Sequence, residues 1–316
     1  GCLAMRKLAL LTAALGLAMV LFMTVNAGGQ WDFILPFRGA KLSALLLVAY
    51  AISVSTILFQ TITANRILTP YIMGFDALYL LIQTSVVFLF GGLAYATMGA
   101  NYKFGLEVSI MLLASLLLFS SLLLKAQADL YRMVLTGVIL GVLFRSITNF
   151  LQRVIDPEEF AVVQAASFAQ FNIVQTQLLG ISAILVGLVS IVIWFYRHDL
   201  DVIALGREQA INLGVNYKRT VVLMFFLIAI LVAVSTALVG PVSFFGLLVS
   251  GMVYPIMQTY RHSQLIPAAF LIGALILVTG QLVFEHVLGL QAVLSVVVEF
   301  LGGIVFIIFL LRRKAL

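Results

Sequence analysis

The sequence predicts an all-α polytopic membrane protein of about ten transmembrane helices, and three observations carry that prediction. Of its 316 residues 63% are hydrophobic and 9% charged, with a mean hydropathy of +1.19, whereas a soluble domain carries about 25% charged residues. Apolar runs of about 20 residues, the length that crosses a hydrocarbon core about 30 Å thick, recur along the whole chain. The basic residues sort to alternate connections, the pattern expected when one set of loops stays in the cytoplasm.

In chain order, the first span, Leu8–Val25, follows Arg6 and Lys7. Charge and length alone also fit a secretory signal, but no small-residue cleavage site followed by a soluble domain comes after it, so it reads as a span. Leu42–Thr61 is entered through Arg38 and Lys41, and Ile72–Tyr95 follows a turn-rich stretch containing Asn65 and Pro70. Leu106–Leu124 and Leu130–Leu151 are separated by a short connection that carries Lys125. Leu178–Tyr196 and Val221–Val239 flank a longer polar segment, and Ser243–Met257, Leu265–Phe284 and Val293–Leu311 complete the set. The chain is expected to form one transmembrane domain over 1–316.

Ten spans with a cytoplasmic amino terminus place Arg6, Lys7, Arg66, Lys125, Arg132, Arg197, Arg207, Lys218, Arg219, Arg261, Arg312, Arg313 and Lys314 inside, thirteen of eighteen basic residues. Arg38, Lys41, Lys103, Arg145 and Arg153 fall outside or in a helix leading outward, where Asp32, Asp156, Glu158, Glu159 and Glu285 gather. Both termini are then cytoplasmic. The formal net charge of +6 answers to this topology and to anionic lipid headgroups, and calls for no nucleic acid.

Two connections are long enough to hold structure. The external segment, about 152–177, is polar and rich in Gln, and reads either as a solvated interfacial helix or as a docking surface. The internal segment, about 199–217, has Val202, Leu205, Ala210 and Leu213 at helical spacings, with Gly206 and Gly214 dividing it into two short helices. Such a pair lying under the membrane is a lever that a soluble partner could push.

Enzyme chemistry lacks its parts. His198, His262 and His286 fall in three different loops on both sides of the membrane, so they form neither one metal site nor a triad. Cys2 is the only cysteine, which leaves no disulfide or cysteine metal site within the chain. No Lys is followed by Ser or Thr, so a phosphate-binding GxxxxGK[ST] loop is absent and any ATP must be bound by another chain. Polar groups at membrane depth become the functional candidates, since each is costly there unless it faces protein or water. In the fifth span Gly137, Gly141, Arg145, Thr148 and Gln152 recur at spacings that place them on one helical face. That face reads as a translocation path in which Arg145 attracts an anionic solute. Close helix packing at the glycines, and an ion pair between Arg145 and Glu299, are the structural alternatives.

Four stretches resemble one family in order along the chain. ANRILTPYIMGFD (64–76), after a span ending at Gln60, resembles the RNPLADPxLLG signature of FecCD-type permeases, the ABC-importer subunits for ferric siderophores, haem and cobalamin. IALGREQAINLGV (203–215) resembles the family's coupling segment, GPVSFFGLLVSGMV (240–253) its GPIGFxGLxxPH stretch, and LSVVVEFLGGIVFIIFLLRR (294–313) its last span. Gln60, Asn65, Pro70 and Gly74 are the motif positions kept. Ser250-Gly251 stands where the family carries Pro-His, and ILTPxIMGFD and LSVVxxFxGG are similar to a sub-branch devoted to siderophores.

The resemblance implies a type II ABC importer permease fold and several partners. These are a second permease subunit, identical or paralogous, two cytoplasmic ATPases that hold the ATP, and an external siderophore-binding protein. It implies no cofactor or metal on this chain. Ala204, Leu205, Gly206 and Gly214 would meet the ATPase, and Arg38 and Lys41 would receive carboxylates of the binding protein. An anionic, catecholate-like ferric siderophore is the expected cargo. Haem or cobalamin import is the nearest alternative, and an ion-coupled secondary transporter the next; the latter would carry its own coupling-ion site in broken helices.

Overall fold

In hydrocarbon every backbone amide must find its partner inside the protein, so a chain this apolar has helices as its open route across the membrane. The computed structural model describes residues 2–26, 28–29, 31–123, 130–166, 171, 174–287 and 294–313. Leu124, Lys125, Val293, Lys314 and residues 167–170 and 172–173 of the predicted external segment lie outside the described residues. The helices are α1 (Cys2–Thr24), α2 (Trp31–Ile62), α3 (Phe75–Phe90), α4 (Gly92–Thr97), α5 (Ala100–Leu123), α6 (Leu130–Val154) and α7 (Pro157–Ala166). There follow α8 (Thr176–Phe195), α9 (Arg197–Ile203), α10 (Arg207–Asn212), α11 (Tyr217–Val239), α12 (Phe245–Met257), α13 (His262–Leu282) and α14 (Leu294–Arg313). Among the described residues seven helices are long and apolar enough to cross a membrane, and α3, α12 and α14 supply three shorter apolar stretches. Together these match the ten predicted spans.

Side-chain contacts fix which ends share a face. Thr61 at the end of α2, Asp201 on α9 and His262 at the start of α13 meet on one side, and Lys7 reaches the Ile256 carbonyl at 2.8 Å on the same side. On the opposite side Arg38 reaches the end of α1, Lys41 pairs with Glu285, and Glu159 of α7 accepts from the Gly92 amide that starts α4. His262 and His286 belong to ordered turns of α13 and its end, a difference from the loops expected for them.

The bundle is built around α2 and α11, whose apolar windows are 78% and 72% buried, against 17% for α1 and α6. Small residues let the central helices close up: a Cβ at Gly273 would lie 2.2 Å from Ser53 Oγ, and one at Gly246 would lie 2.0 Å from Thr56 Oγ1.

The predicted span Ile72–Tyr95 is broken. Asn65 Oδ1 accepts from the Ile67 amide in a local turn, a 3-10 turn follows at Pro70–Met73, and Gly74 at φ +86° closes it onto Tyr71 O at 3.0 Å. Gly91 at φ +85° then separates α3 from α4. Gly74 sits against Gly141, about 16 Å along a helix about 37 Å long, so α3 begins near the middle of the bundle.

Candidate functional site

The predicted face of α6 divides between two environments. Gly137 and Gly141 are buried, and a Cβ at Gly137 would lie 3.0 Å from Met73 Cε while one at Gly141 would lie 3.1 Å from Gly74 Cα. Thr148 is 4% exposed and donates to the Phe144 carbonyl at 2.8 Å, and Gln152 is half-buried. Gly137 and Gly141 thus form a seam on which the 3-10 turn and the start of α3 pack, the structural alternative weighed for the glycines. The outward face of α6 is instead apolar, with Leu135, Ile139, Val142, Leu143 and Phe150 exposed.

Arg145 stands at the edge of that seam, its side chain 56% exposed. Its partner is Asp76 and not Glu299: Nη2 donates to Asp76 Oδ2 at 3.0 Å and to Oδ1 at 3.3 Å. Asp76 occupies the first turn of α3, where the partial positive charge of the helix start favours a carboxylate. Ser243, just before α12, links the pair to the last span: its Oγ lies 3.5 Å from Asp76 Oδ2, and its amide donates to Glu299 Oε1 at 3.4 Å. Tyr71 and Thr236 share a hydrogen bond of 2.8 Å nearby. The start of α3, the middle of α6, the turn before α12 and the first turns of α14 thus bring one guanidinium and two carboxylates near one another, with the guanidinium reaching the surface.

The FecCD transport family matches residues 3–313. The chain belongs to the FecCD transport family. The petrobactin import system permease protein YclO of Bacillus subtilis (strain 168) is 44% identical over 308 residues, covering 98% of both chains. The petrobactin import system permease protein FatC of Bacillus anthracis is 37% identical over 279 residues, covering 88% of this chain and 79% of the relative. A solved metal-chelate type ABC transporter in an inward-facing conformation superposes with a TM-score of 0.83 at 21% identity, covering 98% of this chain and 99% of its own, which establishes the shared fold.

The FecCD signature residues have visible work. Gln60 Nε2 donates to the Arg66 carbonyl at 2.7 Å and to Ser250 Oγ at 3.0 Å, so a residue that departs from the family's Pro-His pair is the one Gln60 holds. Pro70 opens the 3-10 turn and Gly74 ends it. In the 199–217 segment Gly206 at φ +108° and Gly214 at φ +87° bound α10, which follows α9 as a second short helix. Its buried face is Leu200, Ile203 and Ala210, whereas Leu205, Ile211 and Leu213 are exposed. Ala204 is also exposed.

The two residues expected to receive a binding protein are engaged within the chain. Lys41 is 5% exposed and bonds Glu285 Oε2 at 2.8 Å, so its charge is paired within the chain. Arg38 Nη1 donates to the carbonyls of Phe22, Met23 and Val25 at 3.1, 3.2 and 2.7 Å, capping α1.

Three groups escaped the sequence reading. Glu107 in α5 is buried and accepts from Gln83 beside a cavity of about 840 Å³ lined also by Tyr79, Tyr95 and Lys103, whose ammonium sits 3.5 Å from the Tyr95 ring centroid. An acid inside a predicted span was the available signal. Asp76 closes the 64–76 stretch but was given no role there, and the Asp201–His262 pair joins residues 61 positions apart with no signal in the sequence.

Proposed function

We propose that this chain is the permease subunit of an ABC importer that moves an anionic ferric siderophore across the cytoplasmic membrane, with ferric petrobactin as the first cargo to test. The observation that carries the reading is near-full-length similarity to two permeases named for petrobactin import. In this reading the basic-rich loops and both termini are cytoplasmic. Two ATPase subunits bind ATP and grip the exposed Leu205, Ile211 and Leu213 of the coupling segment, a second permease faces the apolar side of α6, and an external protein delivers the siderophore. Arg145 meets the cargo. Its ion pair with Asp76 keeps the guanidinium oriented between transport events, and a cargo carboxylate or catecholate competes for it.

The test is radioiron uptake by cells lacking the gene, with and without its restoration, supplied with ferric petrobactin, a ferric hydroxamate, haem or labelled cobalamin. Restoration for the anionic siderophore alone is the expected result, and restoration for haem or cobalamin alone overturns the cargo. Arg145→Ala should lower uptake of that siderophore up to about ten-fold, a modest figure because the guanidinium is half exposed. Unchanged uptake removes Arg145 from the pathway.

A further inference from the structure

The coupling-loop face carries a buried polar chain that the transport reading leaves unused. His262 opens α13, is 1% exposed, and is held from two sides. Its backbone amide and its Nδ1 both meet Asp201 Oδ1, at 2.6 and 2.7 Å, and its Nε2 lies 2.8 Å from Thr61 Oγ1. Asp201 stands on α9 and Thr61 in the last turn of α2, so three elements distant in sequence converge on one imidazole. The Thr61 hydroxyl also lies 2.9 Å from the Ile57 carbonyl. It can therefore donate to Nε2, or turn to the carbonyl and accept from Nε2–H, and the chain is complete with either form of the ring.

The residue before Thr61 extends the connection. Gln60 ties the same end of α2 to Ser250 of α12 and to the Arg66 carbonyl. Above this node α2 and α13 lie close enough for Gly273 to touch Ser53, so a displacement at their ends is carried along both helices. The coupling helices otherwise rest on the apolar side chains Leu200, Ile203 and Ala210. Apolar contacts are non-directional and tolerate sliding, whereas two hydrogen bonds to one carboxylate oxygen resist it.

We propose that Asp201 and His262 are positioning residues of the transport cycle: they clamp α9 to the ends of α2 and α13, so that force on the exposed coupling segment moves those spans. This rests on the reading that the coupling segment receives the ATPase.

The test uses the whole importer, both permeases, ATPases and binding protein, in proteoliposomes loaded with ATP, and reads ATP hydrolysis and cargo uptake together. His262→Gln keeps an amide able to reach Thr61, but its side chain cannot also span to Asp201, so only the backbone hydrogen bond to that carboxylate is left. It should leave ATP hydrolysis within about two-fold and lower cargo moved per ATP by about ten-fold. Parallel loss of both, with cargo per ATP unchanged, overturns the proposal, since that is what a merely structural role gives. If His262→Gln does not assemble, Asp201→Cys with His262→Cys in a Cys2→Ser background decides. Cargo per ATP should be low with free thiols and recover when a short thiol cross-linker joins them, and equal values before and after cross-linking overturn the clamp. The underlying docking reading fails separately, as ATPase that co-purifies undiminished with Leu205→Asp permease.

Discussion

Replacing Gly74 with alanine imposes two costs at once, and other glycines of the same chain separate them. The new Cβ would lie 2.7 Å from Gly141 Cα, 3.1 Å from Gly141 N and 3.5 Å from the Gly137 carbonyl oxygen. These are backbone atoms of a packed helix and cannot step aside, so overpacking of about 1–3 kcal/mol is expected. Gly74 also holds φ +86°, a left-handed conformation that costs an L-residue about 1–2 kcal/mol. The sum is about 2–5 kcal/mol. Gly214→Ala bears only the backbone cost, since its φ is +87° and nothing lies within 4 Å. Gly141→Ala bears only the contact, at 3.1 Å from Gly74 Cα, and Gly303→Ala bears neither. Thermal unfolding of the detergent-solubilised permease, followed by loss of its monodisperse chromatographic peak, should rank Gly303→Ala with wild type, Gly141→Ala and Gly214→Ala below, and Gly74→Ala lowest. On the scale of about 2–4 °C per kcal/mol the last should fall by about 4–20 °C. A Gly74→Ala protein as stable as Gly303→Ala refutes the packing seam between α3 and α6.

Lys41→Met leaves the Glu285 carboxylate without its cation. The expected loss is about 1–3 kcal/mol, below the about 3–5 kcal/mol of a fully buried pair because the Glu285 side chain is 32% exposed. Adding Glu285→Gln should recover part of it, and strictly additive losses would show that the pair contributes nothing. Arg38→Ala removes the cap from the carbonyls at the end of α1, so protease cleavage near residues 25–31 should rise; a change confined to binding-protein affinity would assign Arg38 to docking instead. Burial works to raise the Asp201 carboxyl, but hydrogen bonds from the His262 side chain and amide and the charges of nearby imidazoles outweigh it and hold it below its ordinary 3.8. A depressed carboxyl stabilises the fold above its unfolded value and loses that contribution as pH falls through the folded one. Protease protection of the coupling segment should therefore stay flat, as far as Asp201 governs it, from about pH 8 to about pH 5 and decline only below about pH 4. A loss between pH 7 and 5 would assign control to another group.

Much of the site was legible in part. Arg145 could be picked out because a guanidinium inside an apolar run is expensive, and the broken coupling helices followed from Gly206 and Gly214. The partner of Arg145 was not legible. Glu299 shares its membrane depth as plausibly as Asp76 does, and only the early start of α3, fixed by Gly74 against Gly141, brings Asp76 within 3.0 Å. Likewise Lys41 sits among loop charges in the sequence, and its turn toward Glu285 depends on how α2 meets the end of α13.

The number of spans, the two short helices divided at Gly206 and Gly214 and the family all follow from local properties: hydropathy, charge, and the conformations that glycine and proline allow. The sequence alone settles these because each is decided within a few turns of chain. Which face of each helix meets protein was settled only by the tertiary structure. Lipid tails are as apolar as a protein interior, so the small-residue face of Gly137 and Gly141, legible from its spacing and opposite the exposed Ile139, reads equally as a path or a packing seam until the contacts with Met73 and Gly74 decide it.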